Sequence, residues 1–250
     1  MTTVIAVNGK GGTGKTTVAA LFVDYISSKK LGSLLAVDAD PNATLANMLG
    51  VKVEETMVGV VDEVSAKRDA LPAGMSKDRF IEMKVQESIG EAENFDLLVM
   101  GRPEGPGCYC YVNTVLRGVL NDVTKSYRYI VIDNAAGMEH ISRRTERNID
   151  KFVLVSDYSI MGIRSSAQIF KLAKEMGIKF GKAYLVINKA SGSIDALKKE
   201  IDFSSLSLAG TIGYDEEFVC LSLNNSPISF LSSAKAKVEV TKIMGKILQN

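Results

Sequence analysis

"GKGGTGKT", residues 9–16, decides how the rest of the chain is read. It fits G-x-x-x-x-G-K-[ST] in full, follows the apolar run "TVIAVN" (3–8) and opens the amphipathic segment "TTVAALFVDYISSKK". Strand, glycine loop and helix are the context in which this motif cradles phosphate. The glycines let backbone N–H groups turn toward phosphate oxygens, and the helix N-terminus adds positive potential. Lys15 is expected to reach the β- and γ-phosphates of a nucleotide, and the Thr16 hydroxyl to ligate Mg²⁺. Gly9, Gly11, Gly12, Thr13, Gly14, Lys15, Thr16 and Thr17 are the expected cradle.

Outward from the loop, short apolar runs alternate with helical patterns. Strands are expected at "SLLAVD" (33–38), "FDLLVM" (95–100), "YIVID" (129–133), "KFVLVS" (151–156), "KAYLVIN" (182–188) and "LAGTIG" (208–213), besides 3–8. Most are apolar at consecutive positions, as in strands buried on both faces of a parallel sheet. In the first helical segment Val18, Leu21, Phe22, Tyr25 and Ile26 recur at helical spacing, and "SSAQIFKLAKEMG" stops at Gly177. This alternation predicts an α/β fold: a doubly wound, mostly parallel sheet of about seven or eight strands, helices on both faces, one P-loop domain over 1–250. Residues 51–94 carry mixed signals and are read as helical. The tail "SSAKAKVEVTKIMGKILQN" puts Val240, Ile243, Met244, Ile247 and Leu248 on one face. It is read as a final helix packed on the sheet; the alternative is a basic amphipathic helix lying on a membrane.

Three aspartates fall at expected carboxyl ends of strands, where open α/β sheets bind ligands: Asp38 and Asp40 in "AVDADPN" and Asp133 in "YIVIDNAAG". Asp133 reads as the carboxylate that acts on Mg²⁺ through water, and "NAAG" after it as a switch that feels the γ-phosphate. "YLVINK" ends a strand on Asn188 and Lys189, followed by Ala190 and Ser191. The aspartate that would read a guanine edge is missing, which favours ATP.

The extra lysine, Lys10, makes the loop resemble the deviant Walker A motif of the MinD/ParA/iron-protein class of ATPases. The resemblance implies that Lys10 reaches the nucleotide of a partner subunit, which would tie hydrolysis to dimerisation. It also implies that Asp38 lies near the Mg²⁺ shell, that Asp40 positions or deprotonates the attacking water, and that Asn188 hydrogen-bonds adenine. The segment "IGYDEEF" (212–218), with Tyr214, falls where the class passes backbone along the base.

"GPGCYCYVN" (105–113) is not explained by nucleotide binding. Cys108 and Cys110 are two of three cysteines. In an extended segment they can point the same way and chelate a soft or borderline metal. They supply two of the four ligands usual for zinc, and a two-fold dimer would supply four. Burial or redox pairing are the alternatives. Cys220, in "EEFVCLSL", is read as a packing residue.

"GRPEGPGCYCYVN", "AAGMEH" and the deviant loop together resemble the CooC-type ATPases of carbon monoxide dehydrogenase maturation, including AcsF-type relatives that serve acetyl-CoA synthase. Thr13 and Asn134 differ from the commonest choices of that family, with no side-chain function removed. The resemblance implies a nickel-linked ATPase that dimerises with nucleotide and inserts nickel into apo carbon monoxide dehydrogenase or acetyl-CoA synthase. The sole histidine, His140, seven residues after Asp133, is a candidate auxiliary ligand; a hydrogen-bonded histidine at a helix start is the plainer reading. Two other functions stay open: an ATP-driven Fe–S reductase resembling the nitrogenase iron protein, and a MinD/ParA-type positioning ATPase.

Bulk composition bears on partners. With 30 Lys and Arg against 29 Asp and Glu, net charge is +1, which gives no reason to expect nucleic acid. No apolar run approaches the ~20 residues of a membrane span. The N-terminal run lacks basic residues before it, so a cytoplasmic protein is expected.

Overall fold

The computed structural model describes residues 2–66, 72, 74–102, 118, 126–136, 149–202 and 204–249. In chain order the elements are β1 (Thr3–Gly9), α1 (Lys15–Ser28), β2 (Leu34–Ala39), α2 (Leu45–Leu49), α3 (Met57–Ala66), α4 (Lys77–Glu87), β3 (Gly90–Glu91), β4 (Asp96–Val99), β5 (Tyr129–Asn134), β6 (Ile149–Ser156), α5 (Ile160–Glu175), β7 (Phe180–Ala190), α6 (Asp195–Lys198), β8 (Ser207–Gly213), α7 (Glu216–Leu223), a 3₁₀ turn (Ile228–Phe230) and α8 (Ala234–Leu248).

All seven expected strands are present, in one eight-stranded sheet of order β3-β4-β2-β5-β1-β6-β7-β8. Every pairing is parallel except β3 with β4. The strand that sequence reading missed is β3, an edge of two residues too short to carry a period.

Continuous apolar strands follow from burial on both faces. Ile5, Val7, Val153, Val155 and Val186 face a core built with α1 and α8. Their alternating neighbours pack on the opposite face: Val4 and Ile132 with α3 and α4, and Ala6, Phe152 and Leu154 with α5. In α8, Val240, Ile243, Met244 and Ile247 are buried in the first of these cores, so the tail is a packing helix. α5 begins earlier than its apolar pattern announces, because Ser159 caps it by accepting from the N–H of Gly162 at 2.9 Å. Within 51–94 the described residues form two helices, α3 and α4, with non-helical stretches and the edge strand β3 between and after them.

β1 lies between β5 and β6. The chain moves from β1 toward β2 on one side, and from β5 crosses β1 to β6 on the other. That reversal opens a crevice beyond the carboxyl end of β1, where ligands of open α/β sheets bind. The loop 9–16 fills it.

Candidate functional site

Gly9 leaves the sheet against β6. A Cβ there would collide with the carbonyl oxygen of Val155, so only glycine lets the loop start so close to the neighbouring strand. Gly14, at φ 87°, sits at the N-cap of α1. Between them the carbonyl of Lys10 collects three donors: the Thr13 N–H at 3.5 Å, the Thr13 hydroxyl at 2.9 Å and the Lys15 ammonium at 3.4 Å. Thr13 and Lys15 are buried. Gly11, Gly12 and the side chain of Lys10 are exposed on the outer rim, and Thr16 and Thr17 are half-buried.

Asp133 lies beside Lys15 and Thr16 of this loop, and Asp38 and Asp40 lie near Asp133. Asp38 and Asp133 are register partners on β2 and β5, and neither is exposed to solvent. Asp38 accepts from the N–H of Asp40 at 3.1 Å and of Leu45 at 2.8 Å, so it also anchors the start of α2. Burial pushes its carboxyl up to about 6, against those hydrogen bonds. Asp40 is half-buried and accepts from the Asn42 N–H and side-chain amide, each at 2.9 Å.

Asp133 differs. Neither carboxylate oxygen has a hydrogen-bond partner among the described residues, although both are buried. Burial pushes its carboxyl up to about 7; the nearby Thr16 hydroxyl and Lys15 oppose the shift, and Asp38 and Asp40 reinforce it. A buried carboxylate with idle acceptors beside Thr16 and Lys15 is what a hydrated divalent cation on a nucleotide would satisfy. Asn134, next to it, donates to the Val7 carbonyl at 3.3 Å and ties the end of β5 to β1.

Asn188 and Lys189 close the loop from the β7 side. The Asn188 amide donates to the Thr13 carbonyl at 2.9 Å, and its oxygen accepts from the Lys189 N–H at 2.9 Å. The Lys189 ammonium donates to the Gly12 carbonyl at 3.0 Å. Lys189 has φ 57°, a conformation that costs a non-glycine residue about 1–3 kcal/mol and persists where surroundings enforce it. Sequence reading assigned this pair to the base and missed its hold on the loop backbone; the signal available was an Asn-Lys pair at the end of a strand. Tyr214 is exposed, and its N–H donates to the Ala190 carbonyl at 2.9 Å, which brings the 212–218 segment beside the end of β7.

The structure corrects one reading. Cys220 is exposed on α7, not packed. The helix rests its other side on the core through Phe218 and Leu221, both half-buried. Cys108, Cys110 and His140 lie outside the described residues. Among the described residues no helix is long and apolar enough to cross a membrane.

The family model for the CobQ/CobB/MinD/ParA nucleotide binding domain (CbiA) matches residues 4–228. An uncharacterized ATP-binding protein of Methanocaldococcus jannaschii is 42% identical over 231 residues, 90% of each chain. The carbon monoxide dehydrogenase accessory protein CooC of Rhodospirillum rubrum is 29% identical over 202 residues, 76% of each chain. Among solved structures, the septum site-determining protein MinD of Pyrococcus horikoshii, complexed with Mg-ADP, superposes with a TM-score of 0.72 at 23% identity, over 100% of this chain and 97% of that one. A glycine loop braced from β7, two buried carboxylates beside it and a matching family model over most of the chain lead to one conclusion: the chain belongs to the CobQ/CobB/MinD/ParA family of nucleotide-binding domains and is a P-loop ATPase.

Proposed function

We propose that the chain is an ATP-driven metallochaperone, a single ATPase domain over 1–250 that dimerises with nucleotide and delivers nickel to an apo carbon monoxide dehydrogenase or acetyl-CoA synthase. The observation that carries this reading is the Cys108–Cys110 pair in a chain whose phosphate loop holds the extra Lys10. The likeness to a carbon monoxide dehydrogenase accessory protein supports it.

ATP enters as its Mg²⁺ complex. Thr16 would hold the cation directly and Asp38 and Asp133 through water, and it would supply charge neutralisation on the β- and γ-phosphates. The loop N–H groups of residues 9–17 and the Lys15 ammonium bind the phosphates. Asp40, on the loop after β2, orients the attacking water and accepts its proton. Lys10, exposed on the rim, donates across the interface to the partner's nucleotide, so that turnover waits for the dimer. Asn188, Lys189 and the backbone near Tyr214 flank the base. Nickel is cargo, held by Cys108 and Cys110 of both subunits; zinc competes for the same thiolates.

The test is an anaerobic nickel titration of the reduced protein against its Cys108→Ser/Cys110→Ser variant, with an ATP analogue, with ADP and with neither. The expected result is about one cysteine-dependent nickel per dimer, as four-thiolate sites require, shifted by nucleotide. Binding that ignores the cysteines would overturn the cargo role. Iron and acid-labile sulfide in place of nickel would favour a reductase. The MinD likeness favours a second reading, a positioning ATPase, but α8 commits its apolar face to the core. Liposome and DNA co-sedimentation with ATP tests it.

A further inference from the structure

The nucleotide site lies at the carboxyl ends of the strands. At the opposite end of the sheet, where β7 and β8 begin, a second cleft of about 600 Å³ opens. β7 starts at Phe180 but pairs with β8 only from Tyr184, opposite Ser207. The overhang leaves a notch, bounded by the last turn of α5 on one side and the end of α8 on the other.

Three ammonium groups line the notch: Lys174 of α5, Lys182 of β7 and Lys246 of α8. Ser205 and Ser207 join them; Ser204 also lines the cleft, but its hydroxyl donates to Asp202 at 2.6 Å, and no carboxylate is among the described lining residues. The whole chain carries a net charge of only +1, so this is a local concentration and not general basicity.

Helix ends explain part of it. Lys174 and Lys246 lie in the last turns of α5 and α8, where a cation is favoured. The Lys246 ammonium donates to the Leu208 carbonyl at 3.4 Å, and that of Lys174 lies 4.3 Å over the Phe170 ring, with Asp202 near. Lys182 is on a strand, beyond any such account. It is the register partner of Lys151 on β6. Like charges directly opposite one another destabilise a sheet. Lys151 is buried, and its pKa is lowered, first by burial and then by the charge of Lys182. The fold therefore sets the buried Lys151 opposite Lys182 in the sheet, and Lys182 itself lines the cleft with Lys174 and Lys246.

We propose that this cleft is a second anion site, which binds a compact polyphosphate separately from the P-loop nucleotide. Phosphate fits better than carboxylate: lysine point charges and hydroxyl donors suit a tetrahedral cluster of oxygens, whereas planar carboxylates are matched by arginine forks, and no arginine is among the described lining residues. From Lys182 to Asn188, β7 runs about 20 Å at ~3.3 Å per residue, so one compact ligand cannot fill both sites.

The test uses the full chain with its P-loop saturated by Mg-ADP, Mg²⁺ kept in excess, and inorganic pyrophosphate as probe in a calorimetric titration at low salt. One pyrophosphate per chain is expected, bound at least tenfold more weakly by Lys182→Ala/Lys246→Ala, with Mg-ADP affinity and ATP turnover unchanged. All three cleft lysines are exposed, which favours folded variants; Lys182→Glu alone is the second test and should also weaken binding. Amide NMR shifts at Ser204, Ser205 and Ser207 locate the bound anion. Equal affinity in wild type and variants, or heat that appears only as ADP is displaced, would overturn the proposal.

Discussion

The side-chain amide of Asn188 donates to the main-chain carbonyl of Thr13 across 2.9 Å, 175 positions apart in sequence. It joins the end of β7 to the middle of the phosphate loop, inside the protein. Asn188→Ala leaves a buried carbonyl without its donor, a loss of about 1–3 kcal/mol. The thermal midpoint and Mg-ADP affinity should both fall. Asn188→Asp sets a carboxylate against the same carbonyl and should be worse on both measures. An Asp variant that equals wild type would show that the bond does not shape the loop.

Two glycines of the loop should fail in different ways when changed to alanine. At Gly9 the new methyl meets the Val155 carbonyl, part of the sheet backbone, which cannot step aside. Overpacking of that kind costs about 1–3 kcal/mol, so the melting temperature should drop even without nucleotide. At Gly14 it meets the Asn188 amide, which can move only by giving up its bond to the Thr13 carbonyl. Gly14→Ala should therefore lose nucleotide affinity together with stability, its φ of 87° adding strain. Calorimetry and Mg-ADP titration of both variants separate the effects.

Stability without nucleotide should fall as pH rises from about 4 to 7. Burial raises the carboxyls of Asp38 and Asp133 to about 6 and about 7 from 3.8. Because the folded state holds these protons more tightly than the unfolded chain, their contribution is full below about pH 4 and is lost as pH climbs through the folded values. Thermal melts from pH 5 to 8 should show the decline, and Asp133→Asn should flatten it. Mg-ADP must displace the same protons, so its affinity should rise over that window.

Asp40→Ala should bind ATP and not hydrolyse it. The side chain is tied to Asn42 and not to the loop 9–16, so its removal spares the cradle. General-base groups contribute roughly 10²–10⁴-fold, which sets the expected loss of phosphate release at saturating ATP. Lys10→Ala should likewise bind ATP but lose the dependence of turnover on protein concentration. Normal turnover in the Asp40 variant would remove it from the mechanism.

What the sequence determined by itself was local. A loop of glycines before a lysine can follow a strand and open a helix in only a few ways, and apolar runs without alternation belong to strands covered on both faces. Seven strands, the phosphate loop and the positions of Asp38, Asp40 and Asp133 were legible for that reason. Strand order was not. It depends on which runs pair across long separations, so only the folded sheet places Asp38 beside Asp133 and leaves the latter without a donor among the described residues. The same holds for Asn188, whose partner in the loop is set by the β7 register, and for Lys182, a strand lysine like any other until β6 sets Lys151 opposite it. Cys220 marks the limit in the other direction: an apolar neighbourhood in sequence says which residues sit on a helix, but the packing of α7 decides which side meets the core.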